Sequence, residues 1–199
     1  MKPKEILVFG ASGQIGRHLV RKLTKSNYKV IAVTRNIHQK GYILKTQANP
    51  GYLEIKELSS LNEDKLRSLM NGCSVCINLI GIMHEKKKYY FKYIHSYFPE
   101  LLSKLAKQQK LEKFIHVSSL GIDNVSDSEY AASKIEGENK IRENFDRYVI
   151  LKPSVVFSVD DNFTTNFMKL LNLIPVMPLY YEGKTKFTPI HVADMTEII

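Results

Sequence analysis

Cysteine is scarce in this chain, histidine is scattered and long apolar runs are missing, and each absence removes a class of function. The two cysteines, Cys73 and Cys76, make a single C-x-x-C, a spacing used for thiol exchange or for half of a zinc site. No second cysteine pair completes a metal site. The pair falls in "NGCSVCINLIG", whose run from Cys73 to Ile80 predicts a buried strand with the two thiols on opposite faces. Two small buried thiols are therefore expected. The six histidines show no H-x-x-x-H or other ligand spacing, which argues against a metal centre. No apolar stretch approaches the roughly 20 residues that a bilayer requires. "MKPKEILVFG" carries a charge where a signal peptide would have its apolar core. A cytoplasmic protein is the expectation. Internal repeats and low-complexity linkers are also absent.

What is present is a chain of 199 residues, 44% hydrophobic, with a formal charge of +9. That length buries one sizeable core. The positive balance favours anionic partners such as nucleotides, nucleic acid or acidic membrane surfaces, but a solvated basic surface has the same composition.

Apolar periodicity alternates between two patterns. Strands are predicted at Glu5 to Phe9, Tyr28 to Thr34, Tyr52 to Ile55, Cys73 to Ile80, Phe114 to Ser118 and Tyr148 to Leu151. Helices are predicted at Gln14 to Thr24, in "LNEDKLRSLMNG", within Tyr90 to Lys110 with Pro99 marking a bend or restart, and at Glu129 to Asn144. Strands alternating with helices predict an α/β fold with a doubly wound parallel sheet, the Rossmann architecture.

"GASGQIG", Gly10 to Gly16, falls between the first strand and the first helix. In that context Gly10 permits a tight turn, Gly13 lets the backbone approach a pyrophosphate, and Gly16 lets the helix pack closely on the strand. Amides at the helix start then face the anion. The second strand ends "AVTRN", with no carboxylate at Thr34, Arg35 or Asn36 to hold a ribose 2'-hydroxyl. Arg35 is placed to pair with a 2'-phosphate, with Arg17 as a helper. NADP(H) is the expected dinucleotide and NAD(H) the alternative.

Residues 1–157 are thus read as a dinucleotide-binding domain, and 158–199 as the start of a small, incomplete C-terminal substrate subdomain. There "DDNFTTNFMKLLNLIP" predicts a helix capped by Asp161 or Asn162, with Phe163, Phe167, Leu170, Leu171 and Ile174 inward. "TPIHVADMTEII" places Val192, Met195, Ile198 and Ile199 at helical spacing and ends on two isoleucines expected to be exposed.

"EYAASKIEGE" sets Tyr130 and Lys134 four residues apart on one helix face. The preceding strand ends "HVSSLG", with Ser118 and Ser119. An ammonium near a phenol favours the phenolate and a serine hydroxyl can bond the same substrate oxygen, a set suited to proton transfer alongside hydride transfer. "HEKKKYYFKY" interleaves Lys86 to Lys88 and Lys92 with Tyr89, Tyr90, Phe91 and Tyr93. Such a run can bind single strands, but a helix start with a solvated basic face is the commoner use. Nucleic acid is disfavoured, and docking on an acidic lipid surface ranks above it.

With these motifs the sequence resembles the short-chain dehydrogenase/reductase superfamily, in its extended and atypical branches that include the NAD-dependent epimerases and dehydratases. "GASGQIG", "NLIG", "VSS", "YAASK" and "LKPSVVF" carry the resemblance. More narrowly, "INLIGIM", "FIHVSSLG", "YAASKIEGE", "LKPSVVF" and "FTPIHVADM" are similar to bacterial relatives of the nucleotide-binding accessory subunit of respiratory complex I. That resemblance implies a tightly held, structural NADP(H) and a partner complex at the inner face of the cytoplasmic membrane. The alternative is an active reductase, epimerase or dehydratase on a sugar nucleotide or small carbonyl compound. Position by position it implies cofactor contacts at Gly10, Ser12, Gly13, Gln14, Ile15, Arg35, Leu79, Ile80, Gly81, Lys134 and Pro153. Glu57 and Leu58 would lie near the adenine, where Glu57 is longer than the family's Asp. Ser119 would be the catalytic serine beside Tyr130 and Lys134, with Ser118 nearer the cofactor. Ser158 stands where a glycine is usual, and the interval from Ser119 to Tyr130 is short for an extended enzyme, so the substrate side of the cleft is expected to be reshaped.

Overall fold

The structure, a computed structural model, describes residues 4–86, 90–125, 127–174 and 180–199. Six strands, β1 (Glu5–Phe9), β2 (Lys29–Thr34), β3 (Leu53–Glu57), β4 (Val75–Asn78), β5 (Lys113–Val117) and β6 (Tyr148–Leu151), form one sheet in the order β3-β2-β1-β4-β5-β6. Every pairing is parallel. The helices α1 (Gln14–Lys25), α2 (Ile37–Gln47), α3 (Glu63–Met70), α4 (Phe98–Gln108) and α5 (Glu129–Asn144) make the crossovers. The strand order reverses between β1 and β4, which opens a crevice at their carboxyl ends. Phe9 pairs with Asn78 and Asn78 with His116, so Gly10, Leu79 and the residues after Val117 gather at that edge.

The alternation of side chains along β1 accounts for the two layers. Leu7 and Phe9 enter a core with Leu66, Phe98, Leu102 and Ile141 from α3, α4 and α5. Ile6 and Val8 enter a second core with Leu19, Val20 and Leu44 from α1 and α2. A sheet buried on both faces needs near-continuous apolar strands, and "EILVF" meets that need.

Cys73 and Cys76 are both buried as free thiols, but they do not occupy opposite faces. The strand begins at Val75, so Cys73 lies in the preceding turn and both thiols join the same core. Burial pushes the Cys73 thiol up to about 11 and Cys76 well above its ordinary value, which keeps both protonated and unreactive.

A π-helical segment, Lys92–Tyr97, leads into α4. Pro99 has no N–H to give the His95 carbonyl, and the widened turn places that carbonyl against α5. A Cβ on Gly137 would stand 1.8 Å from the His95 oxygen, so only glycine allows this approach.

Beyond β6 the chain forms a two-stranded parallel sheet from β7 (Val156–Phe157) and β8 (Ile190–His191), with α6 (Asn162–Leu173) between them and α7 (Val192–Ile198) after. Asp161 caps α6, its carboxylate accepting from the Thr164 N–H at 2.6 Å. The inward face expected for α6 is not found: the helix buries no residue, and Phe163, Phe167, Leu170, Leu171 and Ile174 are all exposed. Helical spacing identifies an apolar stripe but not whether another layer covers it. On α7, Val192 and Met195 are buried against the body of the domain and Lys22 of α1 pairs with Glu197. Ile199 shares their stripe and is partly buried, so only Ile198 is exposed as expected. No helix among the described residues is long and apolar enough to cross a membrane.

Candidate functional site

The β1–α1 turn is shaped by what its glycines exclude. Gly10 has φ +76, and a Cβ there would lie 3.0 Å from the Leu79 carbonyl carbon. A Cβ on Gly16 would lie 2.3 Å from the Gly10 oxygen and 2.6 Å from that of Ala11. Gly13 is the N-cap of α1 and supplies no capping side chain. The first-turn amides, including those of Gln14 and Ile15, are therefore open to an anion.

In front of this turn lies a cleft of about 550 Å³. Of the residues expected to hold a dinucleotide, Gly10, Ser12, Gly13, Arg35, Leu58, Leu79, Ile80 and Gly81 line it. Ser12 Oγ lies 3.3 Å from Thr34 Oγ1, which ties the turn to the end of β2. Lys40, on the first turns of α2, lines the cleft together with Arg35, as do Ser59 and Ser60; none of these three was foreseen. No acidic side chain is among the described lining residues. A glycine-built turn, an uncapped helix start and two cations fit an anionic dinucleotide.

Other residues expected at the cofactor have contacts within the protein. Gln14 donates its amide to the Val156 carbonyl at 3.1 Å and to Ser158 Oγ at 2.9 Å, tying α1 to β7. Ser158 thus has a use as an acceptor that a glycine could not supply. Arg17 pairs with Asp160 at 2.5 Å, on the same side. Glu57 accepts the Ile37 N–H at 2.8 Å and so closes the start of α2, together with the Asn36 cap. Ser118 donates to Glu138 at 2.6 Å; Glu138 is buried and also meets Arg142 and Lys152, each at 3.0 Å. The Pro153 carbonyl accepts from Leu120 at 2.9 Å. Ser119 is thereby held between two anchored neighbours.

Ser119, Tyr130 and Lys134 come together. Ser119 Oγ lies 3.2 Å from Tyr130 Oη, and the Lys134 ammonium sits 5.4 Å from the centre of the Tyr130 ring. Ser128 caps α5 from just ahead of Tyr130. Lys134 is buried, and desolvation lowers its pKa to about 8 against a smaller opposing pull from Glu138. The expected lowering of the tyrosine is not found. Burial pushes the Tyr130 phenol above its ordinary value, only partly opposed by the Ser119 hydrogen bond. The lysine stands over the ring rather than at the hydroxyl, so desolvation dominates.

Two buried histidines complete the region. His95 Nε2 accepts the Ile82 N–H at 3.1 Å, so Nδ1 carries the proton and donates to Ser133 Oγ at 3.1 Å. Asn78 uses Oδ1 to accept the Ile80 N–H, which leaves its amide to donate to His116 Nδ1 at 3.1 Å. His116 is therefore the opposite tautomer. Burial first, and then the nearby Lys134 charge, lowers His95 to about 4 and His116 to about 3. Among the described residues no group of three His, Cys, Asp or Glu is placed to hold a metal ion. The run "HEKKKYYFKY" lies partly outside the described residues, at 87–89.

Sheet order, crevice and glycine turn together define a dinucleotide-binding Rossmann protein. The chain belongs to the NAD(P)H-binding family, whose model matches residues 10–170. It is homologous to a subunit of the mouse (Mus musculus) respiratory enzyme, NADH dehydrogenase [ubiquinone] 1 alpha subcomplex subunit 9, mitochondrial, with 30% identity over 96% of this chain and 50% of that one. The mitochondrial NADH-ubiquinone oxidoreductase 40 kDa subunit of Neurospora crassa is 27% identical over the same shares. The chain spans about half the length of these curated relatives. In fold it matches the dTDP-glucose 4,6-dehydratase of Streptomyces venezuelae, solved with NAD and TYD bound, with a TM-score of 0.78 over 97% of this chain and 70% of that one at 18% identity.

Proposed function

We propose that this protein holds NADP(H) as a resident part of its structure and acts as an accessory nucleotide-binding unit of a respiratory NADH dehydrogenase, at the membrane surface. The observation that carries the reading is the polarity of the cleft: Arg35 and Lys40 line it and no described acidic side chain does. A 2'-phosphate meets cations there, whereas a 2'-hydroxyl would meet no carboxylate. The homology to mitochondrial respiratory subunits over nearly the whole chain supports the partner. A ligand bound only by the native state stabilises it by mass action, so a retained dinucleotide serves the fold without turnover. Gly10, Ser12, Gly13, Leu58 and Leu79 to Gly81 form its bed, with the amides of Gln14 and Ile15 and the Gly16 approach behind the pyrophosphate.

A second reading is favoured by one contact, the 3.2 Å pairing of Ser119 with Tyr130 beside Lys134. When bound, the dinucleotide supplies hydride chemistry. Tyr130 would then exchange a proton with a substrate oxygen at its Oη, Ser119 would orient that oxygen through its hydrogen bond to Tyr130, and Lys134 would place its ammonium against the Tyr130 ring. That set supports a reductase, epimerase or dehydratase. Mass spectrometry of the nucleotide released on denaturing freshly purified protein separates the two. Stoichiometric NADP(H) supports the resident cofactor, and an empty protein that exchanges either dinucleotide overturns it.

A further inference from the structure

His95 occupies a position that neither the dinucleotide cleft nor the Ser119, Tyr130 and Lys134 set accounts for, and it touches both. Its Nε2 holds the Ile82 N–H, one residue past Gly81 on the wall of the cleft. Its Nδ1 reaches Ser133 on α5, whose hydroxyl donates to the Tyr130 carbonyl at 2.8 Å. The ring stacks on Phe91 with centroids 5.5 Å apart and meets the Tyr130 ring edge-on at 5.3 Å. Its backbone is fixed as well, because the π-helical turn that Pro99 imposes presses the His95 carbonyl against Gly137 of α5. Widened helical turns of this kind recur at functional sites. Three of the side-chain contacts, to Ile82, Ser133 and Tyr130, end on the cleft wall or on the helix that carries Tyr130 and Lys134, and the backbone contact with Gly137 ends on that helix as well.

We infer that His95 is a positioning residue: a neutral imidazole, protonated at Nδ1, that ties the Gly81–Ile82 wall of the dinucleotide cleft to the tyrosine-bearing helix and sets the two at one fixed separation. Binding at the cleft and the placement of Tyr130 are then coupled through it. The inference rests on the dinucleotide occupying the cleft. Amide side chains can separate its two arms: a glutamine reaches as far as Nε2 and can accept from Ile82, whereas an asparagine reaches only as far as Nδ1 and can donate to Ser133.

The test has two parts, both on the full chain as purified. Nitrogen-15 NMR of the histidine rings, with His95→Gln assigning the signal, should show His95 protonated at Nδ1 and His116 at Nε2; the reverse tautomer at His95 overturns the inference. NADPH titration should show binding weakened about tenfold in His95→Asn, the loss of one buried hydrogen bond, with part of the loss recovered in His95→Gln. A double-mutant cycle of His95→Asn with Ser133→Ala should be non-additive. Additive effects, or equal losses in the asparagine and glutamine variants, overturn the inference. Failure of the unsubstituted protein to bind NADPH would instead sink the reading of the cleft, while the ring tautomers still report on His95.

Discussion

Gly16 and Gly10 approach each other so closely that a Cβ on Gly16 would stand 2.3 Å from the Gly10 carbonyl oxygen. The obstructing atoms are backbone, so no side-chain movement relieves them. Gly16→Ala must push α1 off the turn that forms the anion bed, and is expected to cost about 2 kcal/mol and to weaken NADPH binding. Gly51 provides the contrast: φ is +84, but nothing lies within 4 Å. Gly51→Ala should therefore cost about 1 kcal/mol of left-handed strain with binding retained. Urea unfolding and NADPH titration of the two variants check this; equal effects on binding would contradict the close-approach argument.

Arg35 decides between dinucleotides. It lines the cleft at the end of β2, beside Lys40. A charge-assisted contact to a 2'-phosphate is worth roughly 1.5–3 kcal/mol, so Arg35→Ala should weaken NADPH binding by about 10- to 100-fold and leave NADH binding within about twofold. Equal losses for the two would remove the 2'-phosphate assignment. The measurement is a pair of fluorescence titrations.

Glu138 is 1% exposed and serves Ser118, Arg142 and Lys152 at once. Breaking a fully buried pair costs about 3–5 kcal/mol through the stranded partner. Here the partners Arg142 and Lys152 are 41% and 26% exposed at their side chains, and can turn to water. Glu138→Ala is therefore expected to cost about 2 kcal/mol, below that range, and Glu138→Gln less, since an amide oxygen still accepts from Ser118. Chemical denaturation of both variants gives the comparison.

The sheet was legible because its strands are apolar on both faces and its turns carry marked residues. "EILVF" before three glycines and "NG" before β4 leave little freedom. Less visible was α2, where only Gly41 and Leu44 are buried. With so thin an apolar stripe, its start depends on Asn36 and on Glu57 from another strand, a tertiary cap that no local pattern announces. The same fact gives Glu57 a second use, as a helix cap, and hid Lys40. For Ser119, Tyr130 and Lys134, spacing on one helix and one strand end was enough to place the set. His95 and Gly137 escaped notice because their partnership joins elements 42 residues apart by sequence numbering, and its local cause, Pro99, reads only as a bend. On α6 the stripe was correctly identified but its burial was not, because periodicity reports amphipathicity and not what lies opposite.

Lys134 links the site to stability in a measurable way. Its pKa is lowered from 10.5 to about 8, chiefly by desolvation. Between those values the unfolded chain binds more protons at this group than the native one, so its contribution to stability rises with pH through that window. Below about pH 8 both states are protonated and the full penalty remains, roughly 3 kcal/mol by the usual conversion. Lys134→Met keeps the length of the stem and removes the charge. It should therefore be more stable than the unsubstituted protein at pH 7, and the difference should shrink as pH rises from 8 towards 10.5. Unfolding free energies at four or five pH values test both the sign and the window. A variant that is less stable at pH 7 would mean that the ammonium is better solvated, or better paired with Glu138, than its burial implies. In that case Lys134 would stay charged beside Tyr130 well above pH 8.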